Sequence, residues 1–109
     1  MGRINLGDFE QQVLLTVLRL GGEAYSVSIV EELEERTGRE VAQAAVFIVL
    51  RRMEKKGLVT SRFEDNTAEK AVRVRCYFKL TPLAMRRLKE SRRQLARLWE
   101  GVEVVLDEV

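Results

Sequence analysis

The hydrophobic period of this chain changes from about 3.6 residues to 2 just after Gly57, and changes back at Thr81-Pro82. A helical pattern, an alternating pattern and a second helical pattern in that order leave few architectures open. Before the change, Ala42, Ala45, Val46, Val49, Leu50 and Met53 recur at i, i+3, i+4 spacing. They predict a helix over roughly 42–56 with that stripe buried. Gly57 is its expected stop. No Ser, Thr, Asp or Asn stands at its start, so it lacks a good side-chain cap. After Gly57, "LVTSRFE" predicts a short strand, and "VRVRCYFKL" alternates cleanly. Val72, Val74, Cys76, Phe78 and Leu80 fall on one face; Arg73, Arg75, Tyr77 and Lys79 fall on the other. With the polar "DNTAEKA" between them, the two strands form a hairpin with one apolar and one basic face.

Two helices precede this unit. "DFEQQVLLTVLRLGG" carries Phe9, Val13, Val17 and Leu20 on one stripe, with Leu14 and Leu18 beside it. Asp8 is its expected N-cap, with Gln11 at the capping-box spacing. "SVSIVEELEERTG" turns Ile29, Val30 and Leu33 inward and closes at Gly38. After the hairpin, Thr81 as N-cap and Pro82 at the first helical position begin a last helix. It is expected to run roughly 25 residues, about 37 Å. Leu88, Leu95, Leu98, Trp99, Val102, Val105 and Leu106 make a seam on it near heptad spacing. Beyond about Leu95 the seam outruns the domain and needs another surface. Three helices, a two-stranded wing and a long helix describe a mostly α winged helix-turn-helix over 1–80, followed by a C-terminal dimerisation helix over 81–109.

The net charge of +2 over 109 residues hides an asymmetry. Residues 1–50 hold eight acids and four bases; residues 51–97 hold fifteen bases and five acids; residues 98–109 hold four acids and no base. The basic middle points to a polyanionic partner. No apolar run approaches the roughly 20 residues a membrane span needs, and no signal-peptide core opens the chain. The single cysteine, Cys76, excludes an internal disulfide framework and fits a reducing cytoplasm. It reads as a small buried hydrophobe. Catalysis finds no footing: the chain has no His, one Cys cannot build a zinc cluster, and no Gly-rich phosphate loop follows a strand. No enzyme activity, metal or cofactor is expected.

Several stretches carry a resemblance. "LGDFEQQVLLTVLRLGGEAYSVSIVEELEERTGREV", "AAVFIVLRRMEKKGLV" and "RCYFKLTPLA" resemble the PadR-like transcriptional regulators over roughly residues 5 to 100. The most specific parts are "EELEERTG", "RRMEKKGLV" and the "YFKLT" strand-to-helix junction. The resemblance implies a dimeric winged-helix repressor. Its third helix would enter the major groove of double-stranded DNA, its wing would lie over the flanking backbone, and its C-terminal helix would pair the homodimer. This chain has Phe47 where the family typically carries tyrosine, and Ile48 and Val49 where small polar residues are common. It has no Gly-rich wing tip around Ala71 and Val72, and Cys76 stands where a basic residue is common.

On that footing Gln43, Ala44, Phe47, Arg51 and Arg52 are the candidate DNA contacts of the third helix. Gln43 is its clear amide, suited to bidentate pairing with adenine, and Phe47 and Ile48 suit the thymine methyl. Lys70, Arg73 and Arg75, with Lys79 nearby, are the candidate phosphate contacts of the wing. Arg51, Arg52, Lys55 and Lys56 also fit a plain solvated helix end favoured by the macrodipole. Leu88, Leu95, Leu98, Trp99 and Val102 are the candidate dimerisation residues. Trp99 reads as an interface anchor, with the lining of a small-molecule effector cavity between subunits as its other reading. A donor-poor third helix also fits a second class, a winged-helix dimer serving as a protein-interaction module.

Overall fold

A computed structural model describes residues 6–66 and 73–109. The order is α1 (Asp8–Arg19), β1 (Glu23–Tyr25), α2 (Ser26–Thr37), α3 (Gln43–Lys55), β2 (Val59–Asn66), β3 (Arg73–Leu80), α4 (Pro82–Trp99) and α5 (Glu103–Asp107). Three helices pack around one core with an antiparallel sheet at their side. Val13, Leu14, Val17, Ile29, Leu33, Val46, Leu50, Met53, Leu58 and Phe78 are fully or almost fully buried there. Each such side chain contributes roughly 1.5–3 kcal/mol of burial.

The third helix follows its apolar stripe. Val46, Val49, Leu50 and Met53 are buried, Ala45 is half-buried, and Ala42 is exposed just before the helix. Ala42 caps the helix with no side-chain hydrogen bond, as its sequence implies. The preceding loop is held another way: the Val41 N–H donates to Glu34 Oε2 at 2.9 Å. At the other end Gly57 takes φ +79°, and the Leu58 N–H donates to the Met53 carbonyl at 2.9 Å. A side chain at that φ would be strained, so glycine is what lets the chain turn from α3 into β2.

Three expectations are corrected. Asp8 is the first residue of α1 rather than its cap. Gly7 is the cap, and the Glu10 carboxylate, not Gln11, accepts the Gly7 N–H at 3.0 Å. The wing sheet has three strands in the order β1-β3-β2, not two, because Glu23–Tyr25 pairs with β3. Of the hairpin's expected apolar face, Cys76, Phe78 and Leu80 are buried, while Val72 lies outside the described residues. The last helix stops at Trp99 after 18 residues rather than running on for 25. Gly101, at φ +86°, breaks it before the short α5. Its start is as expected: Thr81 Oγ1 accepts from the Ala84 N–H at 3.2 Å. The same hydroxyl donates to the Gly57 carbonyl at 2.7 Å, which ties the root of α4 to the end of α3.

Candidate nucleic-acid interface

α3 buries one stripe and turns the rest outward. Gln43, Ala44, Phe47, Ile48, Arg51 and Arg52 are all exposed. Phe47 is 38% exposed and Ile48 57%, so both sit at the surface rather than in the core. Phe47 is not loose. Its ring meets the buried Phe78 edge-on, with centroids 5.9 Å apart, and the Arg51 guanidinium lies 5.9 Å from its centroid. An exposed aromatic locked between the core and a cation presents a defined apolar surface.

The cations at the end of α3 divide into two kinds. Arg51 Nη1 pairs with Glu54 Oε1 at 3.1 Å, while the other Glu54 oxygen accepts from Ser61 Oγ at 2.6 Å. Lys56 Nζ pairs with Glu10 Oε2 at 2.8 Å. Burial pushes the Glu10 carboxyl up, but Lys56, the Gly7 N–H and the more distant Arg52 outweigh it and hold it below its ordinary value. Arg52 and Lys55 project into solvent.

The outward face of the sheet is polar and aromatic. In register, Tyr25, Tyr77 and Arg62 form one row across the three strands, and Glu23, Lys79 and Thr60 form the next. Arg62 grips Glu23 through Nε at 2.9 Å and Nη2 at 3.2 Å, and reaches Glu64 at 3.2 Å. Glu23 first, then Glu64, holds its guanidinium well above the ordinary range, and Arg62 in turn lowers Glu23. Arg62 also lies 4.4 Å from the Tyr77 centroid. Arg75 lies 5.2 Å from the Tyr25 centroid, and Tyr77 beside it pushes its guanidinium up, so it stays charged. Arg73 opens β3 opposite Asn66. Lys70 lies outside the described residues. Cys76 is buried on the other side of the sheet, and that burial pushes its thiol up, which makes it an inert filler.

The expected dimerisation residues separate along α4. Leu88 belongs to the core of the protomer, whereas Leu95, Leu98, Trp99 and Val102 are exposed. A groove of about 620 Å3 runs between α1 and α4. Leu15, Leu18, Leu95 and Trp99 line it, and Gln11, at its edge, is hydrogen-bonded to Ser91. The sequence reading set Leu18 beside the core stripe and assigned Leu15 to no face, whereas both are exposed. It also missed Glu10, whose partner Lys56 is 46 positions away, Glu54, whose local pairing with Arg51 the pattern of charges does not single out, and Tyr25, which belongs to a strand too short to stand out. Among the described residues no group of three His, Cys, Asp or Glu could hold a metal ion, and no helix is long and apolar enough to cross a membrane.

Residues 14–90 match the model of the transcriptional regulator PadR-like family. A PadR family transcriptional regulator from Eggerthella lenta DSM 2243 is 26% identical, with a TM-score of 0.68 over 86% of this chain and 80% of that one. A transcriptional regulator from Clostridium thermocellum is 20% identical, with a TM-score of 0.61 over 92% and 89% of the two chains. F93 from STIV, a winged-helix DNA-binding protein, shares the fold at 11% identity, with a TM-score of 0.64 over 84% and 90%. No curated protein matches the sequence.

Proposed function

This chain belongs to the PadR-like family of transcriptional regulators, and from that premise we propose that it is a homodimeric DNA-binding repressor acting in the cytoplasm. The observation that carries the reading is the pairing of an outward α3 face with a cationic wing strand on one winged-helix body. In this reading α3 enters the major groove. Gln43 pairs with adenine, Ala44 allows close approach, and Phe47 with Ile48 packs on thymine methyls. Arg51, Arg52, Lys70, Arg73 and Arg75 meet phosphates on either side. Pairing through Leu95, Leu98, Trp99 and Val102 puts two α3 helices about one DNA turn apart, on a pseudo-palindromic site. Leu88, buried in the protomer, backs that seam rather than forming it. An effector of apolar, small-molecule character would be taken beside Trp99.

A second reading is a protein-interaction module with weak DNA contact. It is favoured by the Arg51–Glu54 and Lys56–Glu10 pairs, which engage two of the four cations at the end of α3. A gel-shift assay on the DNA upstream of the protein's own gene, repeated across a salt series, separates the two. Binding that weakens log-linearly with salt supports the repressor. Absence of salt-dependent binding replaces it with the interaction module.

A further inference from the structure

One acid stands where DNA binding calls for cations. Glu54 lies on the last turn of α3, between the outward helix face and the first wing strand, and both of its oxygens are engaged. Oε1 accepts from Arg51 Nη1 at 3.1 Å, one turn earlier on the helix. Oε2 accepts from Ser61 Oγ at 2.6 Å, on β2. One carboxylate thus ties a cation of α3 to the root of the wing. The pair with Arg51 is open to water: the Arg51 side chain is 50% exposed and that of Glu54 32%.

The tie to the wing does not need the charge, because a neutral amide oxygen accepts a hydroxyl hydrogen as well. An exposed ion pair of this kind also contributes little to the fold. The charge of Glu54 bears instead on what Arg51 can do. The Arg51 guanidinium lies 5.9 Å from the Phe47 centroid, so it stands on the outward face of α3. With its second oxygen held by Ser61, Glu54 stays at that face when a phosphate arrives. Each contact of Arg51 with a phosphate must then break one pairing to form another. It also leaves a carboxylate close to the incoming anion, well within the range over which like charges repel.

We propose that Glu54 is a positioning residue that competes with DNA for Arg51: it holds the guanidinium beside Phe47 in the free protein and yields it to a phosphate on binding. The inference rests on the DNA-binding reading and adds an internal competitor to it. The acid holds backbone affinity below what the number of cations would give. Its effect is the same on every sequence, because phosphate contact reads no bases. It thereby limits retention on bulk DNA, where backbone contact is all that holds a protein.

Glu54→Gln tests it, since the amide oxygen can still accept from Ser61 while the competing charge is gone. Binding is followed by fluorescence anisotropy on the duplex upstream of the protein's own gene and on an unrelated duplex of equal length, each across a salt series. The wild type is measured first. If it shows no salt-dependent binding, the DNA-binding reading falls and this inference falls with it. Given wild-type binding, Glu54→Gln should tighten both duplexes at low salt, by roughly three- to tenfold for one competing pair in each of two subunits. The slope of log K against log salt should steepen by up to about 1.8 in a dimer. A loosened fold cannot produce that gain. Arg51→Ala should then lose more affinity in the Glu54→Gln background than in the wild type, because only the freed guanidinium contributes in full. If Glu54→Gln keeps the wild-type slope or binds more weakly, or if the two Arg51→Ala losses are equal, Glu54 only ties α3 to the wing. The competitor is then wrong while DNA binding stands.

Discussion

Replacing Glu10 with Gln isolates one charge at the joint between α1 and α3. In the native protein the carboxylate does two jobs. Oε1 accepts the Gly7 N–H at 3.0 Å and caps α1, and Oε2 meets Lys56 Nζ at 2.8 Å across 46 positions of sequence. The amide oxygen of Gln can keep the first contact and loses the charge of the second. The Glu10 side chain is 10% exposed and that of Lys56 33%, so the pair lies between a surface bridge and a buried one. Surface pairs contribute up to about 1 kcal/mol; breaking a buried pair costs about 3–5 kcal/mol. With Lys56 left free to rehydrate, Glu10→Gln should cost about 1–2 kcal/mol, and Glu10→Ala about 1 kcal/mol more through the lost cap. Near a hundred residues each kcal/mol lowers Tm by roughly 4 °C.

The sign with pH follows from the depressed carboxyl. A group held below its ordinary value of 4.5 stabilises the fold above that value, and the stabilisation is lost as pH falls through the lowered value. Melts of wild type and Glu10→Gln, run at one protein concentration because the proposed dimerisation would move Tm, should differ at pH 7. They should converge well below pH 4.5. A gap that persists unchanged into strong acid would refute the argument, since the charge of Glu10 would then not be its source.

Three further outcomes are expected. Leu98→Lys, at a position 74% exposed, should leave the protomer folded by circular dichroism yet monomeric by analytical ultracentrifugation, and a dimer in that variant would remove Leu98 from the interface. Phe47→Tyr should change stability by less than about 1 kcal/mol in thermal melts, because the new hydroxyl stays within reach of solvent; a larger loss would mean that the ring edge is buried. Arg73→Ala and Arg75→Ala should each weaken binding to all DNA sequences alike and reduce the salt slope by up to about 1.8 in a dimer, and an unchanged slope in the double variant would take the wing off the DNA.

The periodicity of the sequence located α1, α2, α3, β2 and β3, since each is long enough for its buried face to repeat. β1 escaped because three residues between Gly22 and α2 carry no repeat, and only pairing with Lys79, Phe78 and Tyr77 makes them a strand. The break at Gly101 escaped for a different reason. Val102, Val105 and Leu106 keep the spacing of the seam across the turn, so hydrophobic pattern alone joins α4 to α5. The one sign of the stop was the glycine itself, which here takes a left-handed φ. At the candidate site, residue type was legible and availability was not. Arg51, Arg52, Lys55 and Lys56 look alike in sequence, and the acids that separate them, Glu54 and Glu10, lie 3 and 46 positions from their partners.

That sorting of cations bears on how such a protein could bind DNA. Lys56 is committed to α1, so its ammonium contributes to the fold before it contributes to any ligand. Arg51 is turned toward Glu54 and over Phe47, where it orders the aromatic ring. What remains outward along α3 is one amide, two large apolar side chains and the cations Arg52 and Lys55. In the proposed DNA-binding mode, phosphate contact would fall first to those two and to the β3 strand, where Arg75 stays charged above Tyr25, and Arg51 would join them by exchanging Glu54 for a phosphate. Contacts of that kind fix position and register without reading bases. In that proposed mode discrimination would be left to Gln43 and to the apolar pair Phe47 and Ile48, whose counterpart in the major groove would be the thymine methyl. Replacing thymine with uracil in a bound duplex removes that methyl alone, so affinity should fall at the positions facing α3 while the salt slope stays fixed.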